Sequence, residues 1–328
     1  RLALEKVTKV LKEINYKPNL IARTLGSNRT YRIATLTPDP DLDPFWKQSQ
    51  DGIQAGETQL AQLGIQVVIE PSFYNPHDKE SFQNAALHVY HSFPDGVIVA
   101  PLFYYAALPF LKGLAEKKIP FILFNTHLEE VDALTFIGQD LYQSGRLAAE
   151  LVSMGFPESA DFLILHIDED LANSVHLKEK ERGFRSFFHA KENFEGSINT
   201  LVLDNPFTAS FQNQLKEALA NPTLTGVFVS TSKAYTVASR IKSKNSSIRI
   251  VGYDLIKANH EALEAGHLDF IINQNPMRQA KLGVQTMANH LLFQKNIPSI
   301  HHFPLEIITA QNVSSYLSHP GFQSGIMM

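Results

Sequence analysis

From Tyr31 onward, short apolar, β-branched runs alternate with longer amphipathic stretches. The first are Ile33-Ala34-Thr35-Leu36, Ile65-Gln66-Val67-Val68-Ile69, Gly96-Val97-Ile98-Val99 and Ile119-Pro120-Phe121-Ile122-Leu123-Phe124. The rhythm continues through Phe162-Leu163-Ile164-Leu165, Thr200-Leu201-Val202-Leu203, Val227-Phe228-Val229 and Ile248-Arg249-Ile250-Val251. Near-continuous apolar strands separated by helical segments predict parallel sheets covered on both faces, the doubly wound α/β architecture. Helical spacing such as Ile53, Leu60 and Leu63, or Ala148, Leu151 and Val152, marks the stripes that face the core.

Eight such strands exceed what one small sheet of this kind needs, so two lobes of similar design are expected. The late pieces Leu268-Asp269-Phe270-Ile271-Ile272, a helix around Met277 to Leu292, and His302 to Glu306 suit crossings between them. The expected division is 31–138 plus 275–300 for the first lobe and 139–273 plus 303–328 for the second, preceded by a distinct segment, 1–30. In that segment Leu4, Val7, Leu11 and Ile14 share one helical face, Pro18 stops the helix, and Asn19 is placed to cap a second, short helix through Leu25. About two turns are too few to be stable in water, so residues 19–25 should order only against a partner.

Charge separates the same segment from the rest. The net charge is −4, yet residues 1–32 carry eight Lys/Arg against Glu5 and Glu13, leaving +6 there and −10 on the remainder. A basic arm on an acidic body reads as a nucleic-acid-contacting appendage on a domain with another task. No apolar run reaches the roughly 18 residues that span a bilayer, which speaks against a membrane protein. The absence of cysteine removes disulfides, thiolate metal sites and a cysteine nucleophile, and favours a cytoplasmic location. Position 1 is Arg, so a fragment or processed product is expected.

No two of the 17 glycines are separated by a single residue, so neither G-x-G-x-x-G nor G-x-S-x-G occurs, and no pair has P-loop spacing. His301-His302 and Asp168-Glu169-Asp170 match no recognised metal-ligand spacing, and the acidic run reads as a solvated turn. Neither a metal, a cofactor nor a catalytic constellation is therefore expected. Binding chemistry at strand ends remains. After the first strand, Thr37 to Trp46 is a proline-stiffened loop carrying Asp43 and the adjacent rings Phe45 and Trp46. Such a loop suits a sugar, whose C–H face stacks on a ring while its hydroxyls bond to carboxylates. Equally open is a reading in which both rings begin the next helix and pack in the core. Asn125, Thr231, Asp254 and Gln274 add polar groups at other strand ends, each also a candidate cap or turn residue.

The run Asn15-Tyr16-Lys17-Pro18-Asn19-Leu20-Ile21-Ala22-Arg23-Thr24-Leu25, followed by Arg29-Thr30-Tyr31-Arg32-Ile33, resembles the end of the headpiece and the hinge of LacI/GalR (lac repressor/gal repressor) transcription regulators. The remainder resembles their core, of periplasmic-binding-protein type, through Asp51-Gly52, Gly138-Gln139-Asp140, Arg182-Gly183-Phe184, Val251-Gly252-Tyr253-Asp254 and Gln274. The resemblance implies a homodimeric regulator whose effector, usually a sugar, binds between the lobes and alters affinity for operator DNA. By position it places Phe45 and Trp46 in the first ligand loop, Phe207 at a stacking position, and Asn125, Thr231, Asp254 and Gln274 at polar ones. Lys180 stands where Arg is frequent, and Ser232 where Asp is frequent; Lys180 suits an anionic sugar as readily as a neutral one. In the hinge the resemblance makes Asn19 a cap, Ala22 a point of close approach, Arg23 a phosphate contact and Leu25 an apolar wedge in the minor groove. It also implies that the headpiece's first two helices, including the recognition helix, are missing from this chain. A sugar receptor of an uptake system shares the core but has no use for the basic hinge, and an enzyme reading finds no support.

Overall fold

The computed structural model describes residues 29–169, 174–244 and 247–318, and the expectations for Asn19, Ala22, Arg23 and Leu25 lie outside them. Two six-stranded sheets form two lobes. In the first lobe β1 (Tyr31–Pro38), β2 (Val67–Tyr74), β3 (Gly96–Val99), β4 (Phe121–Phe124) and β5 (Thr135–Gly138) alternate with α1 (Pro44–Gln62), α2 (Lys79–Ser92) and α3 (Tyr104–Glu116). After α4 (Leu141–Ser153), the second contains β6 (Asp161–Ile167), α5 (Val175–His189), β7 (Ile198–Leu203), α6 (Ala209–Ala218), β8 (Leu224–Val229) and α7 (Tyr235–Lys244). It continues with β9 (Arg249–Tyr253), α8 (Lys257–Glu264) and β10 (Phe270–Asn273). The chain then returns through α9 (Pro276–Phe293) and β11 (Ile300–His302) to the first sheet, and crosses again to β12 (Glu306–Ile308) and α10 (Val313–Ser318).

The strand orders are β11-β5-β4-β3-β1-β2 and β12-β10-β9-β8-β6-β7. Pairing is parallel throughout except between β10 and β12. Apolar clusters fill both faces of each sheet, which is why the central strands read as unbroken hydrophobic runs.

Three details depart from the apolar pattern. The second strand begins at Val67 rather than Ile65, because the amides of Gly64 and Ile65 return to Ala61 and Leu60 and close the end of α1. It then runs on to Tyr74 through Pro71, tolerated because β2 is an edge strand. Four-residue β5, with only Phe136 and Ile137 as large apolar residues, is absent from the expected strands.

Glycine permits two close helix contacts. A Cβ at Gly52 of α1 would strike the Met277 carbonyl of α9, and one at Gly183 of α5 would strike the Tyr142 carbonyl of α4. Two of the sequence motifs, Asp51-Gly52 and Arg182-Gly183-Phe184, thus mark where backbones touch. Between the lobes, Gln139 donates through Nε2 to the carbonyls of Asn273 (2.9 Å) and Pro304 (2.8 Å), so one side chain ties all three crossing segments.

Candidate functional site

The parallel strands of both sheets point their C-terminal ends at the lobe boundary, and three of the residues that follow them adopt an unusual backbone. Asn125 (φ 64°), Asp168 (φ 58°) and Asp254 (φ 65°) follow β4, β6 and β9 directly in the left-handed region. Asn and Asp tolerate that region best among residues with side chains, and such strain concentrates at ligand sites.

The boundary is drawn together. Asp43 caps α1 by accepting from the Phe45 amide (2.8 Å), which aims its carboxylate across the cleft at Lys233 (3.9 Å). Lys233 also pairs with Asp168 (3.0 Å), while His77 from the first lobe stands 3.8 Å from the same carboxylate. Gln48 donates to the Leu255 carbonyl at 3.1 Å. The cavity left between Asp43, Trp46, His77, Phe103, Glu169 and Lys233 has a volume of about 40 Å³, far below the ~300 Å³ at which ligand pockets begin. A ligand of sugar size therefore enters only when the lobes part.

Behind this contact lies a second, deeper group. Lys180 of α5 donates to the Ser230 carbonyl (3.0 Å) and sits 3.7 Å over the Tyr253 ring. Asp254 accepts from the backbone amide of Gln274 (3.2 Å) and from its side chain (2.9 Å). Burial pushes the Asp254 carboxyl up to about 6, although Lys180 and Gln274 hold it down. Burial likewise draws the Lys180 ammonium down to about 8, against the pull of Asp254 and Glu169. Asp43 is raised by burial, opposed by Lys233 and the Phe45 amide. For Glu169 burial acts upward, but His176 at 2.6 Å and the two lysines outweigh it and leave the carboxyl at about 2. The two groups are one electrostatic unit, since Glu169 acts on both lysines and Asp43 acts on Asp254.

Of the residues singled out in the sequence, Asp43, Lys180, Asp254 and Gln274 belong to this unit. Thr231 is buried beside it, and its hydroxyl accepts from the Lys233 amide at 3.4 Å. Trp46 lines the cavity, but its ring is 6% exposed and packs edge-on against Phe45 and Phe124. Lys180, Thr231, Asp254 and Gln274 lie behind the cavity and do not line it, and neither do Phe45, Asn125 and Phe207. Phe45 is in the core, the Asn125 amide is bonded to Ile137, and Phe207 stands 93% exposed between β7 and α6. Asp168 and Glu169 are not a solvated turn: the left-handed turn at Asp168, whose amide bonds to Leu203, swings both into the boundary. Lys233 and His176 were missed; Lys233 follows a strand end closely, the one signal that could have found it. Among the described residues no group of three or more His, Asp or Glu side chains is arranged to hold a metal.

Comparison with known proteins agrees with this architecture. HTH-type transcriptional regulator MalR of Streptococcus pneumoniae is 31% identical over 152 residues, 44% of this chain and 43% of that protein, so the match spans less than half of that relative. The ribose operon repressor of Lactococcus lactis is 24% identical over 268 residues, 78% of this chain and 72% of the repressor. A Bacteroides fragilis structure assigned to the LacI transcriptional regulators superposes with a TM-score of 0.81 at 25% identity, covering 88% of this chain and all of the other. The resemblance to LacI-type regulators is thus met by these relatives. Residues 33–295 match the family described as periplasmic binding protein domain, and the chain belongs to that family.

Proposed function

We propose that this chain is the effector-binding core of a LacI-type transcription regulator, a repressor whose affinity for operator DNA changes when a sugar or sugar derivative binds between the lobes. The observation that carries this reading is the charged boundary: carboxylates from both lobes and the Lys233 ammonium of the second converge on one cavity whose size depends on lobe separation. Ligand contacts completed only on closure couple binding to lobe angle, and lobe angle to the hinge segments ahead of Arg29. The basic 1–32 segment and the names of the sequence relatives favour a regulator over an uptake receptor. The protein acts by binding rather than catalysis, in the cytoplasm, as a homodimer. Edge strand β2 and helix α2 expose Val68, Phe73, Leu87 and Phe93, apolar area suited to a second copy.

At the cavity, Asp43, Asp168 and Glu169 offer hydroxyl acceptors, and Trp46 and Phe103 an apolar wall; Asp254 lies behind them, bonded to Gln274. Lys180 is committed to Ser230, Tyr253 and Asp254, which favours a neutral sugar over an acidic or phosphorylated one. Thermal shift of the purified chain against ribose, glucose, maltose, gluconate and glucose 6-phosphate tests this. A neutral sugar at 100 times its Kd should add about 2.7 kcal/mol. If no sugar raises the melting temperature, the reading fails; a shift with the anionic sugars alone overturns the charge argument.

A further inference from the structure

A larger cavity, of about 700 Å³, opens elsewhere along the lobe junction and shares no lining residue with the Asp43–Lys233 cleft. Its volume lies within the range of small-molecule sites. One wall belongs to the first lobe: His127 lies over Phe136 with ring centroids 4.8 Å apart, His302 meets the edge of Phe136, and Tyr104 donates to Glu130 at 2.7 Å. Tyr142 and Arg182 form the other wall, the guanidinium 4.3 Å from the Tyr142 centroid and bonded to Glu179. Between them lies the crossing segment at Gln139.

Two features of this cavity point to an occupant. Thr126 and Gln139, 1% and 2% exposed, both line it, and Thr126 Oγ1 and Gln139 Oε1 are buried without a hydrogen-bond partner. An unsatisfied buried polar atom costs about 1–3 kcal/mol, so a group that bonds to either is favoured there. The charge is one-sided: Glu129, Glu130, Asp140 and Glu179 face the space with Arg182 as the one guanidinium, itself paired to Glu179. Burial, opposed by Glu129 but aided by His302, keeps His127 below the usual histidine range, so it adds little positive charge at neutral pH.

We infer that this cavity is a second ligand site, selective for a small organic cation with a flat apolar body, which stacks between the two aromatic walls and hydrogen-bonds to Thr126 or Gln139. Rings attract a cation placed over their faces, and the surrounding carboxylates reinforce that choice. Because both lobes and the Gln139 tie contribute, such a ligand senses the lobe angle.

Isothermal titration of the full chain with tryptamine and with indole-3-acetate, which share a ring and differ in charge, tests the assignment. Tryptamine should bind saturably at one site and indole-3-acetate at least tenfold more weakly. The surface variant Glu129→Gln/Glu179→Gln should weaken tryptamine at least fivefold, and Thr126→Val, which keeps the buried shape, at least twofold. Asp254→Asn, in the sugar cleft, should leave tryptamine binding unchanged. Absence of tryptamine binding, equal affinity for the two indoles, no weakening in the double Gln variant, or loss in Asp254→Asn each overturns the proposal.

Discussion

Asp43 and Lys233 face each other across the lobe boundary at 3.9 Å, the first fixed by its role as the cap of α1 and the second held by Asp168. Both side chains are about five-sixths buried, so the pair is less screened than a surface ion pair. Burial draws Lys233 down, but Asp43, Glu169 and Asp168 outweigh it and hold the ammonium above its ordinary value.

Removing that ammonium should therefore open the molecule. In Lys233→Met, Asp43 and Asp168 lose their shared cation and the closed form loses on the order of 1–3 kcal/mol. Small-angle scattering should show a larger radius of gyration than for the native chain. An unchanged radius would refute that role and leave the closed form to contacts such as those of Gln48 and Gln139.

Lys180 and Asp254 should behave as a couple. Either single change, Lys180→Met or Asp254→Asn, removes a buried charge but leaves the other without its partner, so the two effects on stability should not add. The double variant should be more stable than the sum of the two single effects, because two neutral groups need no compensation. Urea unfolding of the three variants measures the coupling; strictly additive losses would refute it.

The same two groups set a pH signature. Asp254 is raised in the folded protein to about 6, so its contribution is present below the unfolded carboxyl range and is lost as pH rises towards 6. Lys180 is lowered to about 8, so its contribution is lost as pH falls through 8 and regained towards the unfolded lysine range. Asp254→Asn should thus gain on the native chain between pH 4 and 6 by up to about 1.4 kcal/mol per unit. Unfolding free energies measured at several pH values in that interval check the slope, and parallel curves would contradict it.

Helix contact at glycine predicts an asymmetry between substitutions of equal size. Gly52→Ala and Gly183→Ala place a methyl group on a facing backbone carbonyl and should destabilise by about 1–3 kcal/mol or more. Gly155, in open space with φ +79°, should accept Asn at little cost. Thermal melts of the three variants separate crowding from conformational preference.

The alternation of apolar runs and helical stripes made the paired α/β lobes legible, because fully buried parallel strands leave no polar face to blur them. Four-residue β5 escaped because Thr135 and Gly138 leave it only two large apolar residues, whereas the equally short β3 and β4 are apolar throughout. Asp43, Asp254 and Gln274 were visible as polar residues placed just after strands or before a helix. Lys233, Asp168 and Glu169 were harder, since their meeting depends on how two loops from different strands turn. In sequence, Trp46 and Phe45 suit ligand and core equally; the phase of α1 sets Trp46 edge-on to Phe124 and Phe45 against Trp46 in the same apolar cluster.

Backbone-to-backbone contact at Gly52 and Gly183 has a mechanical consequence. Where backbone meets backbone between α1 and α9 and between α4 and α5, each lobe has little soft material in which to absorb a shift. Motion imposed at the cleft is left to the three crossing segments, which Gln139 clasps together. Each lobe then turns as a rigid lever about one pivot, and a displacement of a few tenths of an ångström at the cleft grows in proportion to distance from it. An allosteric signal of that kind needs no chain of rearranging residues, only length.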